Sequence, residues 1–491
     1  SNSGWAAVGL ARSGPACIVP GFQAGASGLI PYMGNEGTKT MTIKHLVRPA
    51  ALVLALALVA AACGDDDAAT TTTAPPATTT EAPATTTTAP PETTTTAPPE
   101  TTTTEAPAGF QALYEGELKL GYVLPSTGGL AVIIDALVEP LEMLMAEFAA
   151  AGNENVTLLP GDSGTDPQVA TVAVEQFIND GVSGIVGPAG TDVSLGVIDR
   201  ITGSGIPMCS PSNTGAVFTT YEDDGFYFRT APPDNLQGLL LADLMTEAGA
   251  ANAAVVYQGS TYGRGLAEAT EAALEANGVT VAAMVEYDPN ATSFDAEAAT
   301  LADSGADSIL VISYAEGAAL MQAMIEANVG PDDVTIWGAD GFKDSVQAAA
   351  VDPNDPSVLE GVRATGPSVA PPSGEPTFPD RFAAFAPDAP TIFSAHTYDC
   401  LMLMVLAAEA SGSTDPADLQ AVFNDLTSGG EKCSTYTDCH ALLAAGADID
   451  YDGAAGPLEF TDAGEPGAGT YDIFTVDAEG NYVRDDTVDI P

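Results

Sequence analysis

Short apolar runs alternate with longer amphipathic stretches from residue 110 onward. The apolar runs predict strands at 118–124, 156–159, 184–186 and 206–209. Helical periodicity lies between them, at 131–150, 168–180 and 193–202. Because strands that alternate with helices usually pair in parallel, this pattern predicts a sheet covered by helices on both faces.

A second set of the same kind follows the TAPP segment at 230–233. Its helices are predicted at 236–248, 265–276, 295–304 and 317–327, and its strands at 253–257, 280–287, 308–313 and 334–337. Further helices are predicted at 379–385, 394–410 and 417–426, and we expect the longest to return to the first lobe. The predicted fold class is α/β, with two Rossmann-like lobes, parallel sheets and a ligand cleft between them.

The apolar run at 206–209 stops in a cluster of hydroxyl side chains and a proline at 210–214. In open α/β sheets, ligands bind at the carboxyl ends of strands, where such a run delivers its last residues to a loop. Ser212 and Thr214 are therefore the first candidates for ligand contact.

The N-terminal residues predict export rather than a folded domain. Residues 1–40 begin without an initiator methionine, and we interpret them as upstream sequence, with the native start at Met41. Basic residues follow, then an apolar run at 50–62 and Cys63. This run is shorter than the roughly 20 residues that span a bilayer, so 41–63 is predicted to be an export signal.

Residues 64–109 consist almost only of Thr, Ala, Pro and Glu, with no large apolar side chain. Such a composition cannot build a core and predicts a disordered tether. At about 3.1 Å per residue in a polyproline conformation, it would reach on the order of 100 Å. The folded part is then 110–491, with one lobe at about 115–232, a second at about 233–365, and the C-terminal region divided between them.

The charge balance excludes one class of partner. Lys and Arg number 13 against 67 Asp and Glu, which gives a formal charge of −54. Such a chain repels phosphate backbones and anionic membrane surfaces, so we expect no nucleic-acid partner.

Cysteine and histidine spacing gives little support to metal or cofactor chemistry. Cys433 and Cys439 are predicted to close a small disulfide loop. Cys209 and Cys400 lie in apolar runs, and we expect buried free thiols, with a second disulfide as the open alternative. The histidines are isolated and no phosphate-binding loop is present, so no metal and no cofactor are predicted.

Several motifs, in this order and spacing, resemble the extracytoplasmic solute-binding proteins of the branched-chain amino-acid type. They are LGYVLPSTG at 120–128, GPAGT at 187–191, SPSNT at 210–214, YG at 262–263, SY at 313–314, GADG at 338–341 and YDGAAGP at 451–457. The resemblance covers roughly 115–483. It implies a type I periplasmic binding protein, the receptor of an ATP-driven importer. The AAAC segment at 60–63 likewise resembles a lipoprotein box, which implies lipidation of Cys63; simple secretion remains the alternative.

By position, the resemblance implies a ligand site at the strand ends of both lobes. Residues of the first lobe would hold the ligand carboxylate. Residues of the second lobe would hold the ligand ammonium and line the cleft. The implied residues are Thr191, Ser212, Thr214 and Ala189 on the first side, Tyr262, Tyr314 and Asp340 on the second, and Ile133 against the ligand side chain. Asp340 is one methylene shorter than the Glu usual there, and 130–139 lacks the expected polar and Gly residues.

Each of these residues also has an ordinary structural interpretation. Thr191 and Thr214 are typical helix N-caps, and Asp340 before a glycine is typical of a turn. Tyr262 and Tyr314 suit the edge of a core, with their hydroxyls in water.

One further segment matches a different motif. Asp448, Asp450, Asp452, Gly453 and Glu459 have the spacing of an EF-hand calcium loop. Pro457 stands where the second helix of that motif should begin, and 458–460 predicts a strand. We therefore favour a hairpin without calcium.

The sequence as a whole predicts a binding protein and not an enzyme. The expected function is capture of an amino acid, branched-chain or related, for an ABC transporter permease. The expected state is a monomer, held on the outer face of the cytoplasmic membrane by a lipid anchor only. The alternatives are a receptor for urea or short amides, a ligand-sensing lipoprotein, and a surface hydrolase using Asp340 and Asp162.

Overall fold

The computed structural model describes residues 111–368 and 377–490, and these form one compact unit. The predicted N-terminal features, Cys63 among them, lie outside this part of the chain. The predicted α/β class is confirmed, because two mainly parallel sheets carry helices on both faces. We call the parts built on these sheets the first lobe and the second lobe.

The first lobe contains a parallel sheet in the order β2-β1-β3-β4-β5. Its strands are β1 (Leu118–Leu124), β2 (Val156–Asp162), β3 (Gly184–Val186), β4 (Met208–Ser210) and β5 (Tyr227–Arg229). The helices between them are α1 (Ile134–Ala151), α2 (Pro167–Asp180) and α3 (Thr191–Thr202). Strand β5 was not predicted, because it ends in a buried arginine, Arg229, and is not a purely apolar run like β3.

The second lobe starts after the crossing at 231–233. Its helices are α4 (Asp234–Glu247), α5 (Thr261–Ala276), α6 (Asp295–Ser304), α7 (Gly317–Glu326), α8 (Asp340–Ser345) and α9 (Ala348–Val351). The strands among them are β6 (Asn252–Gln258), β7 (Thr280–Tyr287), β8 (Ser308–Ile312), β9 (Thr335–Gly338) and β10 (Arg363–Pro367).

The chain then returns to the first lobe before it completes the second. The returning elements are α10 (Phe378–Phe385), α11 (Ser394–Ser411), α12 (Pro416–Val422), β11 (Glu431–Cys433), α13 (Tyr436–Ala444), β12 (Ile449–Gly453) and β13 (Gly456–Pro457). The last two strands, β14 (Gly469–Val476) and β15 (Tyr482–Ile490), join the second sheet, whose order is β15-β14-β10-β9-β8-β6-β7. The described chain therefore passes between the lobes three times.

Apolar side chains of alternating direction build a core on each face of each sheet. In β8, Ile309 and Val311 enter one core of the second lobe, while Leu310 and Ile312 enter the other. Helix α11 is apolar on nearly all sides, and it packs against α1, β3 and β4 in the first lobe. Its burial explains why its sequence lacks a polar face.

Disulfides reinforce the first lobe. Cys433 and Cys439 are joined, with 5.3 Å between their Cα atoms. Cys209 of β4 is joined to Cys400 of α11, with a Cα separation of 5.5 Å. The expectation of free thiols at Cys209 and Cys400 is therefore wrong. The reason is that α11 folds back onto β4 over a sequence separation of 191 residues, a contact that no local pattern records.

Candidate functional site

The carboxyl ends of strands from both lobes meet around one small cavity. Its first-lobe lining is Leu130, Ile133, Gly190, Thr191, Ser212, Thr214, Ile392 and Phe393, and its second-lobe lining is Tyr262, Tyr314, Asp340, Gly341 and Ser345. In this conformation the cavity volume is about 20 Å³, which is room for about one water molecule. A larger solute enters only when the lobes stand further apart.

Seven of the eight predicted ligand residues line this cavity. The exception is Ala189, which is fully buried beside Gly190 and is not part of the lining. Six lining residues were not among the predicted ligand residues: Leu130, Gly190, Gly341, Ser345, Ile392 and Phe393. Phe393 has a left-handed backbone, with φ of 56°, immediately before α11. No sequence signal places that helix start against a loop more than 200 residues earlier.

The first-lobe side of the cavity presents hydroxyl groups at the start of α3. Thr191 is the first residue of this helix, and the N-cap is Gly190, which has no side chain to cap it. The 3-10 turn after Thr214 likewise has Gly215 as its N-cap. Neither threonine is therefore an N-cap. The positive end of the α3 dipole and these hydroxyls suit an anionic group.

A network behind the hydroxyls fixes the loop at 210–215. The Ser210 hydroxyl donates to the Pro188 carbonyl oxygen at 2.7 Å and accepts from the Asn213 N–H at 3.1 Å. A Cβ on Gly215 would lie 2.6 Å from the Thr191 side chain, so glycine permits this close approach. The Ser212 hydroxyl is buried and has no protein partner, which leaves its hydrogen-bonding capacity for a ligand.

The second-lobe side of the cavity holds a carboxyl group between aromatic rings and amide groups. The Tyr262 hydroxyl donates to Asp340 Oδ1 at 2.9 Å, and its ring stacks on that of Tyr314 with 5.4 Å between centroids. The Gln237 amide, oriented by its hydrogen-bonding network, donates to the same oxygen at 2.9 Å and accepts from the Asp340 N–H at 3.1 Å. Oδ1 of Asp340 is therefore saturated, and no side chain of the described residues donates to Oδ2.

Burial raises the pKa of Asp340 to about 6, although the Tyr262 hydroxyl, two backbone N–H groups and Gln237 oppose this rise. The carboxyl group is still mainly ionised in neutral solution. None of the residues that line the cavity is Lys, Arg or His. The cavity therefore combines one buried negative charge with uncharged hydroxyl donors.

One polar contact joins the lobes at the mouth of the cavity. Asp192 of α3 accepts from the Thr261 N–H of α5, which lies 3.1 Å from each carboxylate oxygen. It also accepts from the Thr261 hydroxyl at 2.6 Å. A carboxylate of one lobe thus binds the helix N-terminus of the other, where the helix dipole favours negative charge.

The hydrolase alternative required Asp162 to act with Asp340. Asp162 does not line the cavity; it accepts from the Thr127 hydroxyl at 2.7 Å and from the Gly164 N–H at 2.8 Å. Burial raises the pKa of Asp162, but these hydrogen bonds outweigh burial and lower it overall. The two carboxyl groups therefore do not form an acid and base pair around one space.

The calcium-like segment contains a lysine among its carboxylates. The ammonium of Lys432 lies 3.0 Å from Asp450, 2.9 Å from Asp452 and 3.7 Å from Glu459. The segment forms β12 and β13 without the helices of an EF-hand. A lysine side chain thus provides the positive charge that these acidic groups face.

A wider surface depression lies elsewhere on the first lobe. It has a volume of about 700 Å³ and is lined by first-lobe residues near β5, with several exposed carboxylates. Because only one lobe forms it, closure of the lobes does not enclose it, and we assign the ligand site to the cavity at Asp340.

Within the described residues, no helix has the length and apolar character needed to cross a membrane.

Comparison with known proteins identifies the family. The chain is 28% identical to the Leu/Ile/Val-binding protein homolog 3 of Brucella melitensis over 249 residues, 48% of this chain and 67% of the relative. Its fold is similar to the branched-chain amino acid transporter substrate binding protein LivJ of Streptococcus pneumoniae in complex with isoleucine, with a TM-score of 0.62 at 18% identity over 76% of this chain and 99% of the other.

The fold is equally similar to an ABC transporter solute binding protein of R. palustris in complex with 4-hydroxybenzoate. The TM-score is 0.62 at 18% identity, over 76% of this chain and 98% of the other. These two structural likenesses show the fold, and the bound molecules belong to those proteins. The model of the family described as periplasmic binding protein matches residues 117–481, more than half of the chain. The chain therefore belongs to the periplasmic binding protein family, whose members are extracytoplasmic receptors of ligands and not enzymes.

Proposed function

We propose that this chain is the solute receptor of an ABC importer and captures a zwitterionic amino acid with an apolar side chain, branched-chain or related. The observation that carries the proposal is the buried carboxyl group of Asp340, which lines a cavity without any basic side chain. A ligand ammonium would pair with this carboxylate, and a cation between a carboxylate and aromatic rings is favourable.

The other end of the ligand would meet the first lobe. Its carboxylate would accept hydrogen bonds from the hydroxyls of Thr191, Ser212 and Thr214, near the positive end of α3. Its side chain would lie against Leu130, Ile133, Ile392 and Phe393, which are apolar. A ligand that bridges the lobes in this way stabilises the closed form, because it makes both sets of contacts only there.

The test separates the ammonium from the carboxylate of the ligand. Calorimetric titrations would compare L-leucine, isoleucine and valine with 4-methylpentanoate, which is leucine without its amino group, and with benzoate, leucinamide and urea. We expect the amino acids to bind and 4-methylpentanoate and benzoate to fail, since neither anion pairs with Asp340. Leucinamide should also bind weakly, because it lacks the carboxylate.

The matched variants are Asp340→Asn and Asp162→Asn, which replace carboxylates inside and outside the cavity. Removing one partner of a buried charge pair typically costs about 2 kcal/mol or more, so Asp340→Asn should weaken leucine binding by roughly 30-fold or more. Asp162→Asn should leave it nearly unchanged. Equal binding of benzoate and leucine, or an unaffected Asp340→Asn, would refute the amino-acid proposal; binding of urea alone would favour the amide alternative.

We further propose that the receptor acts as a monomer, held outside the cytoplasmic membrane by a lipid on Cys63 and a tether at 64–109. Labelling with a fatty-acid analogue, compared between the parent and Cys63→Ser, tests the anchor. Light scattering of the purified protein tests the monomer. Capture of a permease whose gene neighbours this one would identify the transport partner.

A further inference from the structure

Asp234 is a buried acidic residue that the ligand contacts described so far do not use. It is the first residue of α4, directly after the crossing at 231–233, and its side chain has no exposure to solvent. Neither of its carboxyl oxygens has a hydrogen-bond partner of ordinary geometry. An acidic group that is buried without a partner requires an explanation.

The first turn of α4 contacts the ligand groups of both lobes. The Asp234 N–H donates to the Thr214 carbonyl oxygen at 2.7 Å, and its carboxyl group lies beside the Thr214 hydroxyl. One turn later, Gln237 holds Asp340 of the second lobe through its side-chain amide. Asp234 therefore lies directly behind the predicted carboxylate site, and close to the predicted ammonium site.

None of the ionisable side chains around Asp234 forms a hydrogen bond of ordinary geometry with its carboxyl group. The groups around it are Arg229 of β5, Tyr262 of α5, Tyr314 of the loop after β8, Asp340 of α8 and Tyr471 of β14. The only cation among them is Arg229. Its guanidinium is engaged by the Glu465 carboxylate, through Nε at 2.9 Å, and by the carbonyl oxygens of Asn213 and Gly215 at 3.0 and 2.8 Å.

Burial, and then the negative charge of Asp340, raise the pKa of Asp234 well above its usual range. The Thr214 contact and Arg229 act in the opposite direction but do not outweigh them. The α4 dipole also favours the ionised form, but a helix terminus stabilises a charge far less than complete burial disfavours it. A carboxyl group that is fully buried, with neither oxygen hydrogen-bonded, favours its protonated form, and we infer this form for Asp234 in the fold.

A protonated carboxyl group has one O–H to donate, and the Thr214 hydroxyl is the polar side chain beside it. We propose that Asp234 is a positioning residue of the ligand site, which donates its proton to Thr214 Oγ1 and leaves the hydroxyl hydrogen of Thr214 for the ligand carboxylate. If Asp234 were ionised, Thr214 would donate to it instead and present only lone pairs to the ligand. This proposal rests on the proposed function, which places the ligand carboxylate at Thr214.

Infrared spectroscopy tests the proton without any ligand. The parent protein at pH 7 should show a protonated carboxyl band that is absent from Asp234→Asn. In Thr214→Val that band should remain and move to higher frequency, because the carboxyl O–H loses its acceptor. Absence of the band from the parent, or no shift in Thr214→Val, would overturn the proposal.

Binding of L-leucine tests the positioning role. Asn at position 234 is neutral and donates an N–H, so Asp234→Asn should bind within about threefold of the parent, while Asp234→Ala should bind about tenfold more weakly. As the pH is raised above neutrality, affinity should fall in the parent once Asp234 ionises, and should change less in Asp234→Asn. The thermal stability of each variant is measured alongside, to separate lost folding from lost binding.

Equal weakening by Asp234→Asn and Asp234→Ala would show that the charge of Asp234 matters and would overturn the proposal. The same conclusion would follow from identical pH profiles of the parent and Asp234→Asn. If the parent binds no leucine, the amino-acid proposal fails, and the infrared band and its shift in Thr214→Val decide the case of Asp234 by themselves.

Discussion

Loss of the disulfide between Cys209 and Cys400 should destabilise the protein much more than loss of the disulfide between Cys433 and Cys439. All four side chains are buried, so alanine substitution of each pair removes two sulfur atoms from similar surroundings. The two bridges differ in the length of chain that they close, because their sequence separations are 191 and 6 residues. The shorter bridge is therefore a matched control for the longer one.

The magnitude follows from the chain entropy of the unfolded state. A loop of about 190 residues predicts a stabilisation of about 5 kcal/mol, and a loop of six or seven residues predicts about 2 kcal/mol. The difference is about 3 kcal/mol. With an unfolding entropy of about 2.1 cal/mol/K per residue over roughly 380 residues, it corresponds to a melting temperature lower by about 4 °C.

The assay is urea unfolding of both double-alanine variants and the parent under oxidising conditions, with calorimetry for the melting temperatures. We expect the Cys209→Ala, Cys400→Ala protein to unfold at the lower urea concentration. If the two variants lose equal stability, the loop-length argument is refuted. If the long-bridge variant loses less, the bridge strains the contact between α11 and β4.

Three further perturbations have expected outcomes. Asp192→Ala removes the contact with Thr261 and should weaken ligand binding about fivefold, roughly 1 kcal/mol. Stopped-flow measurements should show this loss as faster ligand dissociation, whereas the control Asp199→Ala, on the same helix, should leave binding unchanged. Burial lowers the pKa of His396 to about 3, so the imidazole is neutral in the fold. The contribution of His396 to folding stability is therefore present above pH 6.5 and is lost as the pH falls towards 3. The parent should thus lose about 2 kcal/mol more than His396→Gln in urea unfolding between pH 7.5 and pH 5. Lys432→Ala should destabilise the hairpin by about 1 kcal/mol, and millimolar calcium should raise the melting temperature of that variant only; a rise in the parent would contradict our interpretation of the segment.

The regular part of the fold is predictable from local pattern alone. The strands at 118–124 and 184–186 have the predicted bounds, and the alternation of strands and helices predicts the two sheets. Periodicity works here because each element buries apolar residues on sides that its own geometry defines. It fails for β5, where the charged side chain of Arg229 is buried and interrupts the apolar pattern.

Long-range contacts account for what the sequence could not predict. The pairing of Cys209 with Cys400, and the position of Phe393 in the cavity, both depend on the return of α11 to the first lobe. Asp234 has the local appearance of an acidic residue in the first turn of a helix, where such residues are common. Only the packing of α4 against both lobes removes it from water and brings it to Thr214.

The three passages of the chain between the lobes determine when each lobe can fold during synthesis. The first lobe lacks its most buried helix until residue 411 has been made, and the second lacks two strands of its sheet until residue 490. A chain of four hundred residues therefore still lacks part of the core of each lobe. The order of the elements along the chain thus delays completion of both cores until synthesis is almost finished, which suits a receptor that acts outside the cytoplasm.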